Sequence, residues 1–307
     1  MLKRTINRLL AAIITFMLVV TLTFFLMQTV PGNPFLGEEQ PRPEVAAIMM
    51  ERYGLDQPVH VQFGKYVERM LHGDFGISIK MKWGEEISSI IFSRFPISAS
   101  LGIIAFLLSV SIGIPLGVFS ALKGGSRSDR AIISTCAITV SIPGFVTSTV
   151  LMFILGVQLK WVPFVGLTEF KSYLIPVFCL MLGPTSFITR LMRSNMMDVL
   201  SQDYVKTARA KGLSERVVLF KHALRNAIIP VVTYLGPQLV GIVTGSFVIE
   251  KIFTIPGLSR YFVEAIPSRD YPVIMGTTIF FALFLITANF VVDLLYGAID
   301  PRIRHAE

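Results

Sequence analysis

Long apolar runs constrain this chain more than any other feature of its sequence. Six of them can be marked, at residues 9–30, 97–122, 131–158, 173–192, 228–249 and 273–296. A helix needs roughly 20 mostly apolar residues to cross the hydrocarbon core of a bilayer. Only 16% of the residues are charged, whereas soluble domains carry about 25%. The sequence therefore predicts an all-α integral membrane protein with six transmembrane helices.

The first run has two possible interpretations. It begins after Lys3, Arg4 and Arg8, which is also how a secretory signal peptide begins. A signal peptide has a shorter apolar region, however, and no small-x-small cleavage site precedes residues 30–32. We therefore expect residues 1–30 to be a retained transmembrane helix.

Charge is distributed unequally between alternate polar segments. With the N-terminus placed inside, the inner segments hold 16 Lys/Arg and 7 Asp/Glu, and the outer segments hold 12 and 13. Short cytoplasmic loops of membrane proteins carry an excess of Lys and Arg. The pattern predicts that both termini are cytoplasmic. It also accounts for the net charge of +8 without a nucleic-acid partner.

The longest polar segment is residues 31–96, on the predicted outer side. It contains acidic and basic residues, several prolines and short apolar stretches. A structureless loop of this length is uncommon in a compact protein, so we expect a small, partly helical lobe. The lobe can serve as a docking surface for an extracytoplasmic protein, or it can pack only on its own membrane domain.

A basic, patterned stretch at residues 203–230 interrupts the apolar runs. Asp203 suits an N-cap, Gly212 can take the left-handed conformation that ends a helix, and Ser214 can cap a second helix. We therefore expect two short helices broken at Gly212, a shape that a soluble partner could grip from the cytoplasm. Basic amphipathic helices also lie on anionic lipid surfaces, which is the alternative interpretation.

Residues that carry chemistry are scarce. Cys136 and Cys179 lie within apolar runs, and the 4 His residues are scattered without metal-ligand spacing. The sequence contains no P-loop, so we do not expect the chain to hydrolyse ATP itself. No Ser/His/Asp arrangement can be recognised. We expect a chain that is not an enzyme and that binds no metal and no cofactor of its own.

Polar side chains inside the apolar runs are functional candidates, because burying them without partners is costly. Gln238 and Thr244 in the fifth run and Asn289 in the sixth can line a translocation path. Hydrogen bonds between helices are the alternative explanation for such residues.

Charged residues occur near the inner ends of the runs. Asp293 is the carboxylate found inside a run, close to its inner end. We expect it to pair with Arg190 or Arg302 and not to contact cargo. Arg190 and Arg193 are expected to extend their side chains to the inner surface.

Several stretches together resemble one known family. TARAKGL at 207–213 and HALRNAIIP at 222–230 are similar to the EAA loop of permease subunits of bacterial ABC importers, in the form typical of the peptide and nickel branch. Only the last Ala of the widespread Glu-Ala-Ala triplet is matched, by Ala208, and it is followed by Gly212. The resemblance covers nearly the whole chain, through VPGNPF at 30–35, HGDFGIS at 72–78, IEKIFTIPGLSRYF at 249–262 and DLLYGAIDPRIR at 293–304.

The resemblance implies a type I ABC importer permease of MetI-like architecture. Residues 1–30 are then the N-terminal transmembrane helix and residues 31–96 an extracytoplasmic lobe. Residues 97–300 are the ABC type-1 transmembrane domain of five helices, with a cytoplasmic coupling loop at 193–228. Residues 301–307 are a cytoplasmic tail in a protein of the bacterial inner membrane.

The resemblance also implies partners and contact residues. Two ATP-binding subunits carry ATP and Mg and dock on the coupling loop, with Ala208 and Gly212 at the closest approach. The expected contacts are Asp203, Lys206, Thr207, Ala208, Arg209, Gly212 and Leu213. The other implied partners are a second homologous permease, an extracytoplasmic peptide-binding protein and membrane lipid.

At the outer face, the resemblance and a strong turn signal predict a short hairpin-like or helical re-entrant element at the mouth of the path. It contains Phe253, Pro256, Gly257 and Leu258. An ordinary loop packed against residues 31–96 is the alternative.

The implied cargo is peptide. VPGNPFLGEE at 30–39 is closer to the oligopeptide member of the branch, and import of dipeptides or of chelated nickel is the alternative. An uncoupled channel or membrane scaffold is the alternative of a different class. A peptide path must admit varied side chains, so we expect it to be wide and weakly polar, with specificity residing in the binding protein.

Overall fold

The structure, a computed structural model, describes residues 2–29 and 56–299. The expectations for residues 30–55, including all of VPGNPFLGEE, and for residues 300–307 lie outside the described residues. The α-helices are α1 (Leu2–Gln28), α2 (Val59–Leu71), α3 (Ile87–Leu122), α4 (Arg127–Ser141), α5 (Gly144–Leu151), α6 (Leu174–Leu200), α7 (Asp203–Ala210), α8 (Glu215–Val217), α9 (Arg225–Ala227), α10 (Ile229–Val243), α11 (Phe247–Ile252), α12 (Leu258–Ser268) and α13 (Tyr271–Ile299). Two π-helical segments, Met152–Gln158 and Val218–Leu224, and a 3-10 turn at Phe170–Tyr173 complete the helical part.

Most of the predicted spans are confirmed as long apolar helices. Within the described residues, five helical stretches are long and apolar enough to cross a membrane: Thr5–Gln28, Ile87–Leu122, Phe170–Leu200, Ile229–Ile252 and Tyr271–Leu294. They correspond to the first, second, fourth, fifth and sixth predicted runs.

The third predicted run, 131–158, is broken. Its two halves, Arg127–Ser141 and Gly144–Gln158, are bent by 95°. Pro143 lacks a backbone N–H and forces the residue before it out of the helical region. Ile142 accordingly has φ −88° and ψ 121°. The described part of the chain therefore has five continuous spans, or six if the bent pair counts as one.

The second span begins earlier than predicted. α3 starts at Ile87 and has 36 residues, which makes it about 54 Å long at 1.5 Å per residue. Residues 87–96, which we expected in the outer lobe, are therefore the first turns of this helix. What the structure describes of the lobe before them is α2 and the loop that joins α2 to α3.

The chain forms two compact units. One consists of residues 1–98 and 256–307, and the other of residues 99–255. α3 contributes to both. This grouping does not test the expected division of the chain at residues 30, 96 and 300, which stays a prediction.

The unit made of the two chain ends has an aromatic core. The ring of Phe24 in α1 lies 5.3 Å from that of Phe63 and 5.6 Å from that of Tyr66, both in α2. The ring centroids of Phe95 in α3 and Phe280 in α13 are 4.9 Å apart. These contacts join α1 to α2 in the described part of the outer lobe, and α3 to α13.

A buried carboxylate holds the loop between α2 and α3. Asp270, just before α13, is 0% exposed. It accepts a hydrogen bond from Ser78 Oγ at 2.6 Å and from the backbone N–H groups of Lys80 and Met81, each at 3.0 Å. The N–H of Ile79 is a further donor at 3.3 Å. One side chain thus fixes the conformation of residues 78–81.

The second unit has its core where α3, α6 and the segment after α8 meet. The buried members of this cluster are Ala121, Ile188, Met192, Met196, Ala223, Ala227 and Val231. α3 and α6 approach so closely at Gly117 that an added Cβ would lie 2.6 Å from Cβ of Met192. Glycine at this position permits the packing of the two long helices.

Candidate functional site: a structured loop surface and a cleft

The basic stretch folds as two helices with a turn between them, as predicted. α7 ends after Ala210, and Gly212 takes φ +76°, a left-handed conformation that glycine adopts without strain. We call α7, this turn and α8 the 203–217 surface. Ser214 occupies the N-cap position of α8 with an extended backbone, but its side chain makes no capping hydrogen bond.

The start of α7 differs from the prediction. Gln202 is the N-cap residue, with φ −70° and ψ 148°, and Asp203 is the first helical residue. The Asp203 carboxylate accepts a hydrogen bond from Lys206 Nζ at 2.9 Å, and the Asp203 backbone carbonyl accepts one from Thr207 Oγ1 at 2.9 Å. The side chain of Asp203 thus forms an ion pair with Lys206 on the surface of α7 and does not cap the helix. Its acidic charge in the first turn still complements the helix dipole.

The inner face of α7 is apolar and buried. Val205 and Val218 are 0% exposed and Ala208 is 6% exposed, and the three form a small cluster against Val199 and Leu200. We expected Ala208 at the closest approach to a partner subunit. The structure places its side chain inside the chain's own packing, where a small residue lets α7 lie close to the helical segment that follows. The contact with a partner subunit stays a prediction.

The outer face of the 203–217 surface is exposed and mostly basic. Lys206, Thr207, Arg209 and Leu213 all belong to it. Arg209 donates through Nε to a carboxylate oxygen of Glu215 at 2.9 Å, which joins the two helices across the turn. Leu213 is 40% exposed. The turn therefore presents an apolar side chain between charged helices, a pattern suited to a protein partner.

A second link, which the sequence analysis missed, ties this surface to the next segment. Asn226 donates through Nδ2 to the hydroxyl of Tyr204 at 2.9 Å. Between them runs the π-helical segment Val218–Leu224. No local pattern reveals a hydrogen bond between residues so far apart in the sequence.

One of the three candidate path residues lines an open cleft. The cleft has a volume of about 390 Å³ and is lined by Leu180, Pro184, Gln238, Gly241, Ile242, Gly245, Ser246, Phe247 and Val248. Gln238 is half-buried, and its Oε1 accepts a hydrogen bond from the Tyr234 hydroxyl at 2.7 Å. The lining is apolar apart from Gln238 and Ser246, as a path for varied side chains requires.

The other two candidates have different surroundings. Thr244 is buried, and its Oγ1 donates to the carbonyl of Gly241 at 2.7 Å. Asn289 is exposed, lies in the other unit, and donates to the carbonyl of Leu285 at 2.9 Å. Both side chains therefore bond to the backbone of their own segment. A role in the path stays a prediction for all three residues.

The predicted outer mouth is a break between two short helices, α11 and α12. Phe253 is 1% exposed and Leu258 is 0% exposed. The carbonyl of Phe253 accepts from the N–H of Gly166 at 2.8 Å, and the N–H of Leu258 donates to Ser98 Oγ at 2.9 Å. Gly257 is the N-cap residue of α12, with an extended backbone, and Pro256 precedes it. The apolar side chains at 253 and 258 are thus directed into packing.

Arg8 and Arg193 each form an ion pair with an aspartate that the sequence did not indicate as its partner. Asp293 pairs with Arg8, with 2.9 Å between Nη1 and Oδ2, where we expected Arg190 or Arg302. Arg193, which we expected to extend to the inner surface, is 26% exposed and pairs with Asp129. Its Nε and Nη2 donate to the two carboxylate oxygens of Asp129 at 2.6 and 2.7 Å. Both pairs join helices that are distant in sequence, so no local pattern indicates them.

The described residues contain no group of three or more His, Cys, Asp or Glu side chains that could hold a metal ion. Cys136 and Cys179 are free and buried.

Comparison with known proteins agrees with the helical architecture. Residues 113–305 match the family described as binding-protein-dependent transport system inner membrane component. Residues 1–102 match the family of its N-terminal part. The inward-facing structure of the MetNI methionine ABC transporter resembles the fold with a TM-score of 0.58 at 16% identity, over 69% of this chain and 96% of that chain.

Relatives in the same family match from end to end. A dipeptide transport system permease protein of Bacillus subtilis is 44% identical, over 99% of this chain and 98% of that protein. An oligopeptide transport system permease protein of Salmonella typhimurium is 40% identical, over 99% of this chain and 100% of that protein. The chain is therefore a multi-pass inner membrane protein, and it belongs to the family of inner membrane components of binding-protein-dependent transport systems, the permease subunits of ABC importers.

Proposed function

We propose that the chain is one transmembrane subunit of an ATP-driven importer of peptides. It pairs with a second homologous permease and receives peptides from an extracytoplasmic binding protein. Two ATP-binding subunits, which carry ATP and Mg, drive it from the cytoplasm. The family description, which names binding-protein-dependent transport, and the peptide permeases among the relatives support this proposal.

The observation that carries the mechanism is the 203–217 surface. It is a helix–turn–helix with an exposed basic face, an apolar tip at Leu213 and an inner face packed on the end of α6. A subunit that grips this surface can pull on α6 directly. ATP drives the change only if it binds more tightly to one of the two states of the complex.

The proposed orientation places the 203–217 surface, both termini and the 123–126 turn in the cytoplasm. The excess of Lys and Arg supports it, since the inner segments 1–8, 123–130, 190–227 and 293–307 hold 16 of the 28 basic residues. The described part of the outer lobe then faces the binding protein.

We propose oligopeptides as the cargo, on the strength of VPGNPFLGEE. Dipeptides are the competing substrate, because both kinds of permease match over 99% of the chain. Competition of unlabelled dipeptide with a labelled pentapeptide for uptake separates the two.

The cleft is expected to bind peptide only weakly. Its lining offers few polar groups and no charged side chain, so it has little with which to bind a peptide backbone or its termini. A labelled pentapeptide should therefore show no saturable binding at micromolar concentrations to the permease pair without its binding protein. Equilibrium dialysis on the detergent-solubilised pair measures this, and Gln238→Ala is the variant to compare.

Micromolar or tighter binding to the wild-type pair would contradict the prediction. If Gln238→Ala then abolished that binding, Gln238 would be a cargo contact and not a helix-packing residue.

A further inference from the structure

One ion pair in the second unit has a buried carboxylate that accepts several further hydrogen bonds. Asp129, in the first turn of α4, is 2% exposed. Its carboxylate accepts from Ser120 Oγ at 2.5 Å, from the N–H of Gly125 at 2.8 Å, and from Arg193 through two nitrogens. The side chain of Ser126 in turn caps α4 by accepting from the N–H of Asp129.

The pair joins three helices at one point. Ser120 lies in the last turn of α3, Asp129 starts α4, and Arg193 lies in the last third of α6. A guanidinium and a carboxylate joined by two parallel hydrogen bonds fix both a distance and an orientation. Apolar contacts between helices fix neither so firmly, because they are not directional.

One of these helices, α6, is connected to both ends of the 203–217 surface, and α3 packs with it in the cluster beyond the surface. α6 ends at Leu200, and only Ser201 and Gln202 separate it from α7. Beyond the surface, Ala223 and Ala227 pack in the cluster that also contains Met192, Met196 and Ala121. A displacement of the surface therefore reaches α6 from two directions, just beside Arg193.

We propose that Arg193 and Asp129 are positioning residues for energy coupling. They make the inner ends of α3, α4 and α6 move as one body when the 203–217 surface is displaced. This inference rests on the proposed function, because it assumes that an ATP-binding subunit pulls on that surface. A purely stabilising role predicts instead that variants lose transport only as far as they lose assembled complex.

The test compares variants that change the pair in different ways. Arg193→Lys keeps the positive charge but cannot form the two-pronged contact. Ser120→Ala keeps the ion pair and removes one hydrogen bond. The matched control is Asp293→Asn, which breaks the other arginine–aspartate pair, whose two side chains are each 48% exposed.

The measurement is the number of peptides transported per ATP hydrolysed. It uses the full complex with its binding protein in proteoliposomes, at equal amounts of assembled complex. We expect Arg193→Lys to lower this ratio about threefold or more, within the range by which network residues alter coupling. Ser120→Ala should lower it less, and Asp293→Asn should keep the wild-type ratio.

An unchanged ratio in assembled Arg193→Lys complex would overturn the inference, as would an equal loss in Asp293→Asn. If Arg193→Lys does not assemble, the Ser120→Ala variant provides the test. An unchanged number of peptides transported per ATP in that variant would also overturn the inference. Failure of the proposed function looks different, because the wild-type complex itself would then move peptide without ATP.

Discussion

Gly212→Val should lower ATP-coupled transport about tenfold while the protein remains in the membrane. Gly212 has φ +76°, and an added Cβ would meet no other atom within 4 Å. The substitution therefore destabilises the turn through backbone strain alone. This strain is about 1–3 kcal/mol for a non-glycine residue, and a β-branched residue lies at the upper end of that range. Relief of that strain turns α8 and Leu213 relative to α7, and so disrupts the shape that the ATP-binding subunit grips. Peptide-stimulated ATP hydrolysis by the reconstituted complex measures the effect.

The matched control is Gly212→Asn, because asparagine tolerates the left-handed conformation far better than valine. It should keep most of the coupled activity. Normal transport by Gly212→Val would refute the assignment of the 203–217 surface as the ATPase contact.

A charge reversal separates this assignment from a lipid-surface role for the same helices. Lys211→Glu is the cleaner choice, since Arg209 is engaged with Glu215 and its reversal would also break that pair. An ATPase contact predicts weaker coupling with unchanged binding to anionic lipid. A lipid-surface helix predicts weaker binding to anionic lipid with unchanged coupling.

Asp270→Ala should destabilise the unit formed by the chain ends more than any surface change. The carboxylate is fully buried and accepts from Ser78 Oγ and from three backbone N–H groups. Four donors lose their acceptor, and each one left without an acceptor costs about 1–3 kcal/mol, so the total loss is at least about 4 kcal/mol. The midpoint of thermal unfolding in detergent should fall by about 6 °C or more. Trypsin should then cut after Lys80 and Lys82 faster than in the wild type.

Glu86→Gln is the control for this variant, because Glu86 is an exposed acid at the end of the same loop. It should leave both the unfolding midpoint and the trypsin cleavage rate unchanged. If Asp270→Ala unfolded at the wild-type temperature and resisted trypsin, the loop would be held by its other contacts.

The parts of the fold that the sequence predicts are those set by local physical chemistry. Apolar length locates the five continuous spans, since a helix must bury its backbone polar groups within itself in lipid. The break of the basic stretch at Gly212 is predictable for a similar reason. Only glycine takes the left-handed conformation freely, and helix-forming residues flank it on both sides.

The features that escaped prediction depend on contacts between distant residues. The inward orientation of Ala208 is decided by Val218, which packs on it from the next helical segment. The partner of Asp293 lies near the other end of the chain, at Arg8. The sequence shows the charges of Arg193 and Asp129, but only the fold brings α4 and α6 together. The break at Ile142 had a visible cause in Pro143, yet membrane helices often tolerate proline, so composition alone did not decide it.

The central claim is that this chain couples ATP hydrolysis on partner subunits to the import of peptides. The most direct measurement is uptake of a labelled pentapeptide by proteoliposomes that contain both permeases and both ATP-binding subunits. The account predicts uptake only when ATP is on the cytoplasmic side and the binding protein is on the other. An excess of unlabelled dipeptide should leave that uptake unchanged if the cargo is oligopeptide. Uptake that proceeds without ATP, or without the binding protein, would contradict the account and favour an uncoupled channel.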